Sequence, residues 1–175
     1  MLRTPSITGA RGFTLIELMI GIAIMSIVMA LAMPSYRTWI QNTRIRNTAE
    51  SILNGLQVAR MEAVRRNVPV QLLFGTGSAW TVGCVTVTAT CPATIQSRSS
   101  GEGSSTAVTV TSSGGGTFVF DQFGRRSTPA VGAGAVRLDV TATGGRSLRV
   151  TIDVGGNTRM CDPDTGVATT DPRHC

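Results

Sequence analysis

The most apolar part of the chain lies near its N-terminus. Residues 13–33 form an apolar run that is interrupted only by Thr14, Glu17, Gly21 and Ser26. About 20 apolar residues in a helix, at ~1.5 Å per residue, cross a hydrocarbon core of ~30 Å. The pattern therefore predicts a helix that can span a membrane.

The helical pattern continues beyond this run, over residues 34–66. Apolar positions recur there at alternating spacings of four and three, which places them on one face of a helix. These positions are Ile45, Ala49, Ile52, Leu56, Ala59 and Ala63. We expect the helix to end at about Arg66, because Asn67 and Pro69 follow. Pro34 removes one backbone hydrogen bond in mid-helix, which predicts a kink or a local melt.

After Pro69 the apolar period changes from that of a helix to about two, in short segments separated by turn-forming residues. This pattern is typical of antiparallel strands. The predicted strands are residues 68–74, 80–87, 107–111, 117–120, 135–141 and 148–154. Gly144 and Gly145 indicate a hairpin, and the glycine- and serine-rich residues 97–105 indicate a mobile loop. The fold class is therefore α+β, with a long helix packed on an antiparallel sheet or sandwich.

Composition and charge narrow the possible functions. Charged residues make up 15% of the chain, and all sixteen cationic residues are arginine. Without lysine, neither Schiff-base chemistry nor a P-loop is available. The formal net charge is +6, and a mild excess of arginine spread along the chain is typical of a solvated surface.

Few residues could support catalysis or bind a metal. The single histidine, His174, lies next to the C-terminus, where a catalytic base would be poorly held. Gly132-Ala133-Gly134 opens a strand rather than a helix, so it predicts a turn and not a dinucleotide loop. The aspartates at positions 162, 164 and 171 lack the spacing of an EF-hand. We therefore expect no enzyme activity, no catalytic residues, no metal and no cofactor.

All four cysteines lie at or beyond residue 84, downstream of an export-type apolar segment. An even count in that position predicts two disulfides formed in an oxidising compartment. Three connectivities are open. We favour Cys84 with Cys91 and Cys161 with Cys175, because each pair closes a short local loop; the same oxidation argues against zinc at Cys161, His174 and Cys175.

An ordinary secretory signal peptide is the alternative explanation of the N-terminus. Ala30-Leu31-Ala32 could be its cleavage site, before Met33. Two features disfavour it: the helical pattern continues past this site, and a signal peptide has no use for Glu17. An unpaired carboxylate at the bilayer centre costs ~2.5–3.5 kcal/mol, so Glu17 implies a partner.

Residues 11–18, which read RGFTLIEL, closely resemble the prepilin peptidase site of type IV pilins and type II secretion pseudopilins. The resemblance implies cleavage after Gly12, N-methylation of the new terminal Phe13, and a role for Glu17 in filament assembly. Pro34 also lies where these proteins often have a helix-bending proline. The apolar run follows the cut and is retained, whereas a conventional signal peptide loses it.

Three further segments resemble the subgroup that contains the minor pseudopilin GspH and the minor pilins FimT and FimU. They are residues 59–67, 118–125 and 159–161. The cysteines, and Asp162-Pro163 after Cys161, favour the FimU-like pilus type. The resemblance implies the type IV pilin fold.

The expected organisation follows from this resemblance. It comprises a leader (1–12), a transmembrane and assembly helix (13–33), its amphipathic continuation (34–66) and a β-rich head (67–175). The protein would pass once through the bacterial inner membrane, with its head in the periplasm, and then reach the pilus at the cell surface. Expected partners are the prepilin peptidase and other major and minor pilins, contacted through the N-terminal helix.

The implied function is that of a minor pilin near a filament tip that helps to prime assembly. Two alternatives stay open: a type II secretion pseudopilin, and a DNA-binding pilin for DNA uptake. DNA-binding relatives carry a Gly-Arg-x-Arg element, but here Asn157 replaces its first arginine and only Arg159 remains. Arg125, Arg126 and Arg159 are the candidate phosphate contacts, with Arg146 and Arg149 as further cations.

Overall fold

The computed structural model describes residues 12–102, 106–129 and 134–175. Most of the predicted leader, with Arg3 and Arg11, lies outside these ranges, as do Gly132 and Ala133 of the predicted turn. By its contacts the chain divides into two units, Met1–Arg37 and Thr38–Cys175. One helix, α1 (Leu15–Arg66), contributes to both.

In the first unit, α1 is exposed along its apolar side chains. Its best 18-residue window has a mean hydropathy of 2.5, none of it buried, so the helix is long and apolar enough to cross a membrane. The helical backbone continues through Pro34, so of the two effects expected there the local melt is wrong and the kink stays a prediction.

In the second unit, α1 ends in a hydrogen-bonded cap. Asn67 adopts a left-handed conformation with φ of 55°. The Val68 N–H donates to the Ala63 carbonyl at 3.3 Å, and the Asn67 N–H donates to the Val64 carbonyl at 3.4 Å. These bonds form a Schellman motif, which satisfies carbonyls that the last helical turn leaves unpaired.

Nine strands follow within the described residues, in two antiparallel sheets. The first sheet has the order β3-β2-β1-β5-β6 and the second has the order β4-β7-β8-β9. The strands are β1 (Val70–Phe74), β2 (Trp80–Cys84), β3 (Gln96–Arg98), β4 (Thr109–Ser112), β5 (Thr117–Phe120), β6 (Arg126–Thr128), β7 (Val136–Thr141), β8 (Leu148–Ile152) and β9 (Thr158–Cys161). The hairpin predicted at Gly144 and Gly145 is confirmed, since β7 pairs with β8 across it.

Three strands, β3, β6 and β9, were not predicted from the sequence. The segment predicted as a mobile loop, residues 97–105, begins inside β3, which pairs with β2; residues 103–105 lie outside the described part. The strand predicted for residues 80–87 ends at Cys84, where the chain turns into the loop between two cysteines.

The predicted apolar face of α1 forms one side of the core. Ile45, Ala49, Ile52, Leu56, Ala59 and Ala63 are each 0% exposed, which confirms the helical period. A Cβ at Gly55 would lie 3.0 Å from Leu72 and 3.1 Å from Trp80, so the absent side chain lets the helix approach the first sheet. The Trp80 indole N–H donates to the Ser51 hydroxyl at 2.9 Å, which satisfies both buried polar groups.

Candidate functional site

The predicted cleavage site lies just before α1 and is exposed. The Phe13 side chain is 89% exposed, and Gly12 has no atom within 4 Å of the position that a Cβ would occupy. The peptide between them is therefore not enclosed by the rest of the described chain.

Thr14 and Glu17 form a capping box at the first turn of α1. The Thr14 N–H donates to the Glu17 Oε2 at 2.9 Å, and the Thr14 hydroxyl donates to the same atom at 3.0 Å. In return, the Glu17 N–H donates to the Thr14 Oγ1 at 3.2 Å. Reciprocal bonds of this kind satisfy backbone donors that a helix start leaves unpaired. The spacing Thr-x-x-Glu signals this motif in the sequence, although a capping box was not predicted there.

The capping box supplies the partner that an intramembrane carboxylate needs, and it does so within the same chain. It leaves capacity for a second partner, because an ionised carboxylate has about four lone-pair sites on two oxygens. Capping the helix and accepting a hydrogen bond from a neighbouring subunit are therefore compatible roles for Glu17.

The helix face that carries Glu17 also carries a shallow groove. Its lining comprises Phe13, Glu17, Leu18, Gly21, Ile22 and Met25, around a volume of about 380 Å³. Gly21 has open space where a side chain would begin. Small residues let helices approach closely in membranes, so this face can pack against another apolar helix.

The structure contradicts one of the three candidate DNA contacts. Arg126 is 1% exposed, and its guanidinium is used inside the head. Its Nη1 donates to the Pro129 carbonyl at 2.7 Å, and its Nη2 donates to the Gly134 carbonyl at 2.6 Å. Arg126 therefore cannot reach a phosphate without unfolding its surroundings. The sequence offers no signal for this, because the guanidinium's partners come from a loop and not from a local motif.

The other two candidates are exposed but engaged. Arg125 pairs with Asp121 at 3.1 Å. The Arg159 Nη2 donates to the carbonyls of Pro172 and His174 at 2.7 and 2.9 Å, so it holds the C-terminal tail against β9. The structure does not bring the three arginines into one phosphate-binding cluster.

The two further cations considered for DNA are also paired with carboxylates. The Arg146 Nε lies 2.7 Å from the Asp162 Oδ2. Arg149 donates twice to Asp139, at 2.6 and 3.1 Å, in the fork geometry that suits a guanidinium and a carboxylate. These ion pairs reduce the positive charge available to a nucleic acid.

Two disulfides lie in the head. Cys84 is joined to Cys91 and Cys161 is joined to Cys175, with Cα–Cα distances of 5.8 and 5.1 Å. The second bridge fixes the tail beside β9, where Asp162 also forms a parallel bridge with His174. Within the described ranges, no three histidine, cysteine, aspartate or glutamate side chains are grouped so that they could hold a metal.

Comparison with known proteins assigns the chain to a family. Residues 48–156 match the family model described as type II transport protein GspH, and residues 7–33 match the prokaryotic N-terminal methylation motif. A crystal structure of the Pseudomonas aeruginosa type IV minor pilin FimU is similar, with a TM-score of 0.51 and 16% identity over 66% of this chain and 90% of FimU. The minor pseudopilin EpsH from the Vibrio cholerae type 2 secretion system is similar too, with a TM-score of 0.51 and 14% identity over 69% of this chain and 98% of EpsH.

At these identities the two structures show the fold alone, which is that of type IV pilins: a long N-terminal helix packed on antiparallel sheets. Both are named as a pilin or pseudopilin and neither as an enzyme. The GspH match covers more than half of the chain, and the methylation motif covers its apolar start. The protein is therefore a pilin-like member of the GspH family.

Proposed function

We propose that this protein is a minor pilin that prepilin peptidase cleaves between Gly12 and Phe13 and that then enters a type IV pilus at or near its tip, where it primes assembly. The observation that carries the proposal is the exposed cleavage site followed directly by an apolar helix with no packing partner of its own among the described residues. Side chains from Leu15 to Met33 are 50–77% exposed wherever they are large and apolar. Such a surface needs lipid before assembly and other helices after it.

Cleavage creates the second element of the proposal, a free amino group on Phe13. In a bundle of staggered subunits, the Glu17 carboxylate of one chain can approach the amino group of a neighbour. Low dielectric strengthens that attraction. The inner membrane would hold the processed protein, with its head in the periplasm, until pilins recruit it through the helix.

Substitutions at Glu17 and Thr14 separate assembly from capping. Glu17→Gln keeps a capping-box side chain but removes the charge, while Thr14→Val removes the cap and keeps the charge. Glu17→Leu removes both and lowers the cost of residing in lipid. We expect all three to be cleaved and held in membranes, and both Glu17 variants to be depleted from sheared fibres while Thr14→Val is largely retained.

Glu17→Asp is the matched control, because it keeps the charge but shortens its reach, and it should enter fibres at an intermediate level. Blots of membrane and sheared-fibre fractions measure both outcomes. If Glu17→Leu entered fibres at the wild-type ratio, the carboxylate would not be an assembly contact.

A second candidate function is that of a minor pseudopilin in type II secretion, favoured by the GspH match and by the likeness to EpsH. Deleting the gene and scoring surface pili, secreted proteins and DNA uptake separately distinguishes the functions. Loss of pili supports priming, and loss of secretion with pili intact supports the pseudopilin. Loss of uptake alone, with the purified protein binding DNA, would support the DNA-binding alternative instead.

A further inference from the structure

The outward face of α1 in the head carries an apolar groove. Its lining is Gln57, Arg60, Met61, Val64 and Arg65, around a volume of about 520 Å³. These positions follow the helical spacing of three and four, so they share one face. Met61 is 61% exposed and Val64 is 52% exposed, while the opposite face of the same turns is buried against the sheets.

The turn between β5 and β6 packs beside this groove and adds an aromatic side chain. A Cβ on Gly124 would lie 3.1 Å from a Val64 methyl and 3.2 Å from the Arg60 Nε, so the turn sits directly on the helix. Phe123, the preceding residue, is 69% exposed, and the Arg125 guanidinium lies 5.4 Å from its ring centroid. The exposed apolar side chains of Met61, Val64 and Phe123 thus occur in one region, and exposed apolar patches of this kind are typical of surfaces that bind partners.

The rim of this region is cationic at its outer surface. Arg65 pairs with Glu62, and the arginine side chain is 65% exposed whereas the glutamate side chain is 17% exposed. Arg125 pairs with Asp121 in the same way, with 63% of the arginine side chain and 22% of the aspartate side chain exposed.

The carboxylates are turned inward and their acceptor capacity is engaged. The Asp121 Oδ1 accepts the backbone N–H groups of Phe123 and Arg125. The hydrogen bond from Arg65 is the main cause that lowers the pKa of Glu62, against a smaller opposing effect of burial. An approaching molecule therefore meets guanidinium groups around an apolar centre.

We propose that this groove, with Phe123, is the docking surface for the head of a different filament subunit, one that presents an apolar side chain flanked by carboxylates. The inference rests on the proposed function, in that it requires a filament. Charge selects the occupant: a second copy that docked through the same groove would place arginines against arginines, and like charges brought together at an interface are strongly unfavourable.

Site-specific photocrosslinking in the producing strain tests this surface. A benzophenone amino acid replaces Met61 in the full-length protein and, as the matched control, Val87, which is 60% exposed on the loop between Cys84 and Cys91. Position 61 should give adducts with another protein that carries a prepilin-type N-terminus, joined through a head peptide that contains aspartate or glutamate. Position 87 should give far fewer.

A charge reversal then tests the rim. In the chain that carries the crosslinker at position 61, Arg65→Glu should lower the adduct yield about tenfold, which corresponds to about 1.4 kcal/mol. Arg137→Glu makes the same change of charge at an exposed arginine on β7 and should leave the yield unchanged.

Adducts of position 61 with a second copy of this chain, with lipid or with nucleic acid would overturn the inference. So would an adduct yield at position 61 no higher than at position 87, or equal effects of the two charge reversals on the yield. If one of these outcomes is found while the wild-type protein is present in sheared fibres, only the docking surface is refuted and the proposed function stands. Absence of the wild-type protein from fibres, with neither pilus nor secretion defect on deletion, would contradict the proposed function itself.

Discussion

Loss of the Arg126 guanidinium should destabilise the head far more than loss of its neighbour Arg125. Arg126 donates to the carbonyls of Pro129 and Gly134 from a position that is 1% exposed. Arg126→Met keeps an unbranched apolar stem and removes every guanidinium donor, including the Nε that donates to the Asp153 carbonyl at 3.5 Å.

The magnitude follows from these bonds. A hydrogen bond from a charged group contributes about 1.5–3 kcal/mol, so losing the two shorter bonds costs about 3–6 kcal/mol. Water replaces part of them, because Gly134 is exposed and Pro129 is half-buried. Removing a buried cation offsets part of this cost, since that cation was itself expensive to desolvate. We expect a net loss of about 3 kcal/mol, a large share of the ~5–15 kcal/mol that stabilises a typical domain. Arg125→Met breaks an exposed ion pair and should cost about 0–1 kcal/mol.

Urea unfolding of the full-length protein in detergent micelles measures both variants, with near-ultraviolet circular dichroism to report the packing of aromatic side chains. Arg126→Lys should be intermediate, because an ammonium keeps the charge but lacks the fork that reaches two separate carbonyls. If Arg126→Met unfolded at the same urea concentration as Arg125→Met, the assigned structural role would be wrong.

Three further predictions concern the head. Hydrogen bonds from the side chain and backbone of Arg173 lower the pKa of Asp171 from 3.8 to about 2. Because the pKa is lower in the folded protein than in the unfolded chain, these bonds stabilise the folded protein above pH 3.8. That stabilisation is lost as pH falls through 2. NMR should find that midpoint, and an Arg173→Met variant with no upward shift would contradict the cause. Gly156→Ala should lower stability by more than about 1 kcal/mol, because φ is 78° and the new Cβ would lie 2.1 Å from a carbonyl oxygen of the β5–β6 turn. Gly144→Ala, at φ of 76° with open space around it, should cost less, and equal losses would refute the clash. Non-reducing peptide mapping should find Cys84 linked to Cys91 and Cys161 linked to Cys175, and any other pairing would refute this connectivity.

The sequence predicted the buried helix face because that information is local. Six apolar positions repeat with the period of a helix, and each of them is fully buried. The capping box of Thr14 and Glu17 is equally local and could have been predicted.

The three missed strands could not be predicted in this way. β3, β6 and β9 all lie at sheet edges, where a strand pairs on one side only and needs no apolar alternation. The burial of Arg126 could not be predicted either. Its carbonyl partners Pro129 and Gly134 lie only three and eight residues further along the chain, but they follow no sequence motif that signals a buried arginine. Two arginines after a glycine look the same in the sequence whether their side chains face solvent or the interior. The pattern therefore could not show that Arg126 is buried, and its assignment as a DNA contact was wrong.

The proposed cleavage after Gly12 keeps residues 13–33 in the mature protein as its assembly helix. Intact-mass analysis of the protein purified from membranes and fibres of the producing strain tests it most directly. We expect a chain that begins at Phe13 with one methyl group on its amino nitrogen. A mature chain that begins at Met33, after cleavage at Ala32, would lack the assembly helix and Glu17 and would contradict the proposed minor-pilin function.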